Sequence, residues 1–157
     1  MQYKKNYKEV LERLTELYTF NGLDKIYAKM NIPNSALDRY RIETKDGEVE
    51  YPDINKRAEF WDEYLSVYTE LKDDSIPCAY MSELDEGLYG ALVGARISFL
   101  NDTSWGWVSS MVRPFVEDIK EIRNFTLDEN NIWFKRYQEQ VRIFKEKSKG
   151  KFGISHF

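Results

Sequence analysis

The side chains best suited to chemistry follow the short apolar runs that predict β-strands. His156, the single histidine, lies in the last predicted strand, and an imidazole exchanges protons near neutral pH. Asp102 follows another predicted strand, beside Trp105. We interpret His156 and Asp102 as candidate catalytic residues and Trp105 as a candidate substrate-binding residue. The alternatives are a solvent-exposed or core histidine, and an aspartate that caps a turn through its own backbone.

A second group of candidates follows the apolar run 76–81. Glu83, Asp85 and Glu86 come directly after it, and burial that separated their pKa values would let two carboxylates divide acid and base duties. The alternative, which the pattern favours, is that Asp85 caps the next helix and Glu86 lies in its first turn. We take Tyr80 and Asp85 as candidate substrate-binding residues, although Tyr80 has the simpler alternative of core packing.

Several classes of site lack their sequence signals. One cysteine, Cys78, allows no internal disulfide, and one cysteine with one histidine cannot supply the usual three-ligand catalytic zinc site. The apolar neighbours of Cys78 favour a buried strand thiol over a reactive one. The chain has no P-loop, no glycine-rich dinucleotide motif, and no HExxH or GxSxG sequence. We expect no metal and no cofactor within this chain.

Composition favours a folded core and argues against nucleic acid and membranes as partners. The 157 residues are 42% apolar and 15% aromatic, which is enough to bury a substantial core. The 23 basic and 27 acidic side chains are interspersed, so no basic stripe is available for a phosphate backbone. No apolar stretch approaches the length of a membrane span, and none follows the N-terminus as in a signal peptide. We therefore expect a cytoplasmic protein.

Hydrophobic periodicity predicts the elements that must position the candidate residues. Five segments read as helices: 5–20, 24–30, 54–71, 85–93 and 130–149. Three short apolar runs read as strands: 76–81, 95–100 and 151–157. Asp46-Gly47 supplies the turn of a predicted hairpin between 40–44 and 48–51. The segment 101–107 has the composition of a loop at a site, and Pro114 leaves 108–121 without a clear assignment.

The end of the chain predicts a βαβ crossover. A long helix, a tight turn at Gly150 and the strand 151–157 form its second half, which normally continues into another helix that covers the sheet. A terminal strand without that cover leaves an exposed apolar edge. We therefore expect the chain to be the leading piece of a larger α/β enzyme.

Landmarks of a known family occur in order within 54–157: a small-residue helix ending at Gly94, the segment DTSW at 102–105, the acidic turn at 116–118, the helix start DENNIWFKRY and the strand GKFGISHF. In this order they resemble the leading part of uroporphyrinogen decarboxylase-like proteins, a superfamily that includes corrinoid methyltransferases. The resemblance implies a partial (β/α)8 TIM barrel, of which the chain carries the first strands in 54–157. Residues 1–53 would form an N-terminal helical extension with a small hairpin.

What the resemblance implies for function is an N-terminal fragment of a lyase or methyltransferase. It would decarboxylate a tetrapyrrole carboxylate or transfer a methyl group to a corrinoid, and it would be inactive alone. Zinc and corrinoid would belong to a full-length methyltransferase-type relative. The implied partners are a small-molecule substrate and a missing C-terminal half or a second copy. The alternative is a non-catalytic interaction module whose Trp and Tyr faces bury a partner protein.

Overall fold

The computed structural model describes residues 1–22, 24–128 and 130–156, but not the side chain of Asp85. The fold is mixed α/β, as the sequence predicts. The α-helices are α1 (Tyr7–Tyr18), α2 (Ser35–Glu43), α3 (Ile54–Ser66), α4 (Asp85–Leu92) and α5 (Ile132–Ser148). The strands are β1 (Gly47–Val49), β2 (Cys78–Tyr80), β3 (Ile97–Asp102), β4 (Trp107–Val112) and β5 (Gly153–Ser155). Val67–Glu70 and Ile119–Asn124 are 3₁₀ helices.

Side-chain caps begin three of the helices. Asn34, Asp53 and Asn131 accept hydrogen bonds from first-turn N–H groups of α2, α3 and α5, which have no partner within the helix itself. The helices predicted over 5–20, 54–71, 85–93 and 130–149 are confirmed as α1, α3 with its 3₁₀ extension, α4 and α5. In α3 and α5, local capping and apolar periodicity therefore agree.

The helix predicted over 24–30 is wrong. The N–H groups of Ala28 and Met30 donate to the carboxylates of Asp74 and Asp73, across 3.0 and 2.8 Å, instead of to carbonyls of their own turn. The Asp74 N–H in turn donates to the Ala28 carbonyl across 2.8 Å. These long-range bonds hold the segment extended against the loop that precedes β2.

The strands form two small sheets. One is antiparallel in the order β1, β3, β4, and the other is the parallel pair β2 and β5. In the parallel pair Cys78 is opposite Gly153 and Tyr80 is opposite Ser155. The predicted βαβ crossover is confirmed, because the chain passes from β2 through α4, the β3–β4 hairpin and α5 before it returns beside β2. No closed barrel occurs within the described residues.

The hairpin predicted around Asp46-Gly47 is wrong. Tyr40 to Glu43 belong to α2, and β1 pairs with β3 instead. The reason is a long-range anchor: the N–H and hydroxyl of Thr103 both donate to the Asp46 carboxylate, across 2.7 and 2.8 Å. These bonds fix the 45–47 turn on the β3–β4 connection.

The actual hairpin is β3–β4, so the segment 101–107 is its turn as well as a candidate site loop. Gly106 has a φ of 70°, a conformation that suits glycine, and an added Cβ would lie 2.5 Å from the Phe60 ring. The ambiguous segment 108–121 starts as β4. The predicted strand 95–100 is confirmed as β3, but it lies in the antiparallel sheet.

The main core lies between α3, β2 and α5. Trp61, Leu65 and Tyr68 repeat every three or four residues along α3 and its extension, and they pack with Met81 and Phe144. The aromatic face of α3 is therefore core, as its spacing predicts. A smaller cluster of Leu84, Phe99 and Val108 joins the antiparallel sheet to the start of α4.

The first residues of the chain are attached to the main core. Tyr3 stacks on Phe152, and its hydroxyl donates to the Asp62 carboxylate across 2.6 Å. The Lys4 ammonium is buried against Asp73 at 2.6 Å. Within 1–22, 24–128 and 130–156, no helix combines the length and the apolar character needed to cross a membrane.

Candidate functional site

The carboxyl ends of β2 and β5 lie side by side because the two strands are parallel. Tyr80 ends β2, Glu83 follows three residues later, and His156 follows β5 directly. In α/β folds this edge of a parallel sheet is where ligands bind. We call the group of Tyr80, Glu83, Tyr137, Gln140 and His156 the strand-end site.

His156 is exposed and contacts Tyr137 of α5. Its Nδ1 lies 2.7 Å from the Tyr137 hydroxyl, and the two ring centroids are 5.9 Å apart. Tyr137 is half-buried against both core clusters, so its position is set by packing. The contact orients the imidazole of the only histidine at the edge of the parallel pair.

Glu83 is fully buried, and two side chains donate hydrogen bonds to it. It accepts from Arg57 Nε and from Gln140 Nε2, each across 2.7 Å. Arg57 Nη2 also donates to the Gly106 carbonyl across 2.7 Å. A buried ion pair adds little net stability because both charges lose their hydration.

Spare hydrogen-bonding capacity surrounds this ion pair. In the described part of the chain, Arg57 Nη1, Gln140 Oε1 and Trp61 Nε1 are buried without a partner. A buried polar group left in this state costs roughly 1–3 kcal/mol. Arg57 and Trp61 are one turn apart on α3, and Gln140 shares Glu83 with Arg57. Such incompletely satisfied polar groups are rare in protein interiors.

Helix α5 connects the two halves of the strand-end site. Tyr137 and Gln140 are three residues apart and therefore lie on one face of the helix. One contacts His156 after β5, and the other contacts Glu83 after β2. The imidazole and the buried carboxylate are thus held against the same side of α5.

Tyr80 packs between two tryptophan rings. Its centroid lies 6.0 Å from that of Trp61 and 5.7 Å from that of Trp107. Trp107 is the ladder partner of Asp102, so Tyr80 also links the strand-end site to the hairpin. The ring is half-buried, which leaves part of it at the strand end.

The other candidates lie on the hairpin or outside the described side chains. The Asp102 carboxylate accepts from the Ser104 N–H across 2.8 Å, the turn-capping arrangement that competes with a catalytic role. Trp105 is 62% exposed in the turn. The side chain of Asp85 is not described, although its backbone begins α4. The structure therefore brings Tyr80 and His156 to one edge and keeps Asp102 and Trp105 on the other sheet.

Cys78 is half-buried at the start of β2, and burial raises the pKa of its thiol. A raised pKa keeps the sulfur protonated and unreactive near neutral pH. Within the residues that the structure describes, no three His, Cys, Asp or Glu side chains are grouped so that they could hold a metal ion.

Arg57 and Gln140 were not among the sequence candidates. Both are polar residues at positions where a helix otherwise carries its buried stripe: Arg57 is four residues before Trp61, and Gln140 is four before Phe144. A polar residue in register with an apolar stripe is the signal that could have identified them.

Comparison with known proteins adds no relative: no protein-family model, no curated protein and no solved structure matches the chain. The fold and the site define a mixed α/β protein with a polar cluster at the carboxyl edge of a parallel strand pair.

Proposed function

We propose that the chain supplies the first strands of a uroporphyrinogen decarboxylase-like (β/α)8 barrel and that the strand-end site faces its active site. The supporting observation is that Tyr80, Glu83 and His156 follow the carboxyl ends of a parallel strand pair, the edge that carries the active site in barrel enzymes. Residues 54–157 would be the barrel part, and 1–53 its N-terminal extension. The protein would act in the cytoplasm.

The barrel proposal fits the pairing of the two parallel strands. Among the described strands, β2 and β5 pair in parallel only with each other, whereas every strand of a closed barrel has two neighbours. Further strands would come from additional polypeptide or from a second copy. We therefore propose a complementing half or self-association as the partner that completes the substrate site.

The proposed chemistry is decarboxylation of a tetrapyrrole carboxylate. Loss of CO₂ breaks a carbon–carbon bond and leaves the electron pair on carbon, which then takes up a proton. His156, oriented by Tyr137, is the proposed proton donor. Glu83 would act through Gln140 and Arg57 as a positioning residue for the strand end.

Methyl transfer to a corrinoid is the second reaction that the resemblance offers. Cys78 starts β2 opposite Gly153, while His156 lies three residues beyond Gly153, a separation of about 10 Å along the strands. The two residues that could bind zinc therefore do not meet at one point. Cys78 and His156 therefore do not share a zinc ion in this arrangement, and we assign them no step that involves zinc or corrinoid.

The second candidate function is a non-catalytic interaction module. Trp61 and Tyr68, at the centre of the aromatic face of α3, are buried in the core, so such a module would bind its partner through exposed aromatic side chains such as Tyr89 and Trp105.

The test uses the protein encoded by the complete reading frame that contains this chain. Decarboxylation of uroporphyrinogen is measured for the wild type, for His156→Gln and for the control Asp102→Asn. We expect His156→Gln to lower kcat about 10²–10⁴-fold, the usual contribution of a general acid, while Asp102→Asn stays within a few-fold. Full activity of His156→Gln, or no decarboxylation by the wild type, would contradict the proposal.

A separate measurement tests completion by a partner. If β2 and β5 need further strands, the 157-residue chain alone is expected to self-associate in size-exclusion chromatography with light scattering. A chain that stays monomeric over a wide concentration range would argue against an incomplete sheet.

A further inference from the structure

A cleft of about 900 Å³ lies between α2, β1 and α3, away from His156. Its volume is in the range of small-molecule sites, about 300–1,000 Å³. The floor is formed by the half-buried rings of Tyr40 and Phe60, by Val49 and Val108, and by the side chain of Arg57. We call it the helix–sheet cleft.

Hydrogen bonds fix the walls of the helix–sheet cleft. The Tyr40 hydroxyl donates to Asn101 Oδ1, and Asn101 Nδ2 donates to the Lys45 carbonyl across 2.7 Å. The Thr103 bonds to Asp46 hold the same turn from the other side. Because α2, the 45–47 turn and β3 are tied together, the cleft exists before a ligand enters. A preformed site saves the free energy of ordering its walls.

The mouth of the cleft has an excess of negative charge. Seven acidic and four basic residues line the cleft as a whole. Three of the acidic residues are already engaged: Glu63 pairs with Arg39, Asp53 caps α3 and Asp46 accepts from Thr103. Two of the basic residues, Arg39 and Arg57, are engaged by Glu63 and Glu83. Carboxylates without a hydrogen bond or ion pair remain among the described residues: Glu43, Glu48, Glu50 and Glu59. Only the lysines Lys45 and Lys56 oppose them, which favours a cationic ligand.

The floor of the cleft is largely aromatic, whereas its mouth is charged. Tyr40 and Phe60 have ring centroids 5.0 Å apart and offer aromatic surface for a flat apolar body. Arg57 is 4% exposed, and its Nη1 has no partner among the described residues. Its charge is balanced by Glu83, so the guanidinium repels a cation little.

We propose that the helix–sheet cleft binds a small organic cation, namely a primary ammonium compound with a flat apolar body. The ammonium group contacts Glu48 and Glu50 at the mouth. The body packs on Tyr40 and Phe60. An anion is disfavoured because Arg57 already serves Glu83 and the mouth is negative. The proposal does not depend on the barrel or on His156.

Three probes that share a ring and a hydroxyl group test the role of charge. Tyramine is cationic, N-acetyltyramine is neutral and 4-hydroxyphenylacetate is anionic. Calorimetric titration of the 157-residue chain, with NMR shifts of Tyr40 and Phe60 to locate binding, is expected to show tyramine bound at least about tenfold more tightly than the others. Equal affinities, a preference for the anion, or shifts confined to residues outside the cleft would overturn the proposal.

Paired substitutions separate the cleft from the net charge of the chain. Glu48→Gln with Glu50→Gln removes two exposed carboxylates at the mouth and is expected to weaken tyramine binding about tenfold. Glu117→Gln with Glu121→Gln removes two exposed carboxylates that do not line the cleft, and binding should persist. Equal losses in both double variants would show that only the overall charge matters and would overturn the proposal.

Discussion

The Arg57 guanidinium and the Glu83 carboxylate form an ion pair inside the protein, with 2.7 Å between Nε and Oε1. Both side chains are buried, and the pair connects α3 to the segment after β2. Removing one charge from such a pair leaves the other charged group buried without compensation. Substituting one member of the pair therefore tests whether Arg57, Glu83 and Gln140 form a polar cluster in the interior.

Glu83→Gln is expected to lower the free energy of unfolding by roughly 3–5 kcal/mol, because the charge of Arg57 stays buried without a counter-ion. Urea unfolding followed by tryptophan fluorescence measures the change. Glu139→Gln is the control, because it removes the solvent-exposed partner of Arg142 and should change the free energy of unfolding much less. Similar costs for the two variants would contradict the buried geometry.

The lowered pKa of Asp73 predicts that the protein loses stability in acid. Burial alone raises its pKa, but hydrogen bonds from Lys4, from the Met30 N–H and from Ser75 outweigh this effect and lower the pKa to about 2 from an ordinary 3.8. A lowered pKa stabilises the folded state above pH 4, and this stability is lost as the pH falls from about 4 to about 2. The contribution is up to about 2 kcal/mol.

The measurement is the free energy of unfolding as a function of pH. Asp73→Asn should be less stable than the wild type at neutral pH and should lose less stability between about pH 4 and pH 2. Asp24→Asn, at an exposed carboxylate, should follow the wild-type curve. Parallel curves for wild type and Asp73→Asn would mean that Lys4 and Asp73 are not coupled.

The raised pKa values of three tyrosines predict that the protein loses stability in base. Burial is the largest cause that raises the pKa of Tyr3, Tyr51 and Tyr68 to about 12, and Asp62 adds to it at Tyr3. A raised pKa means that the folded state favours the protonated phenol. Stability is therefore complete below pH 10, the ordinary value, and declines as the pH rises from about 10 to about 12.

Tyrosinate absorbance at 295 nm, recorded together with circular dichroism, checks this expectation. Part of the absorbance should appear only near pH 12 and together with loss of helical signal. Tyr51→Phe should reduce that late component, because one of the three phenols is gone. Complete ionisation near pH 10 with the fold intact would show that these hydroxyls are not buried.

The sequence predicts the elements where local signals and tertiary packing agree. The apolar spacing of α3 and α5 and the short runs at β2 and β5 are sufficient for their positions and for the crossover that joins them. The turn at Asp46-Gly47 shows where local signals fail. Its dipeptide favours a hairpin, but the actual pairing depends on Thr103, which is 57 residues away. Such bonds have no signature within a short window of sequence.

The candidate site also contains residues that the sequence predicts and residues that it does not. Tyr80 and His156 could be found because strand ends are predictable from the apolar runs, and parallel pairing brings them to one edge. Arg57 and Gln140 could not be found from residue type, since polar residues on a helix usually face solvent. Their register with the apolar stripes of α3 and α5 is the sequence signal that they point inward, but only the packing of the two helices shows that they meet at Glu83.

The parallel pair itself can be tested at Gly153. A Cβ added at Gly153 would lie 2.5 Å from the Cys78 sulfur, its partner across the ladder, so the Cys78 side chain or its strand would have to shift. Gly153→Ala is expected to cost roughly 1–3 kcal/mol of stability through overpacking. Gly47→Ala is a poor control because Gly47 has a φ of 113°, a conformation that strains any residue with a side chain. A substitution of Cys78, the ladder partner of Gly153, is a better control.

Cys78→Ala removes the sulfur that the new methyl group would meet. If this contact causes the loss of stability, the double variant Gly153→Ala with Cys78→Ala should lose less free energy of unfolding than the two single variants lose together. The expected difference is about 0.5–3 kcal/mol. Urea unfolding of the four proteins measures this coupling. Additive effects would mean that Cys78 and Gly153 are not neighbours. The edge that holds Tyr80 and His156 would then require a different strand register.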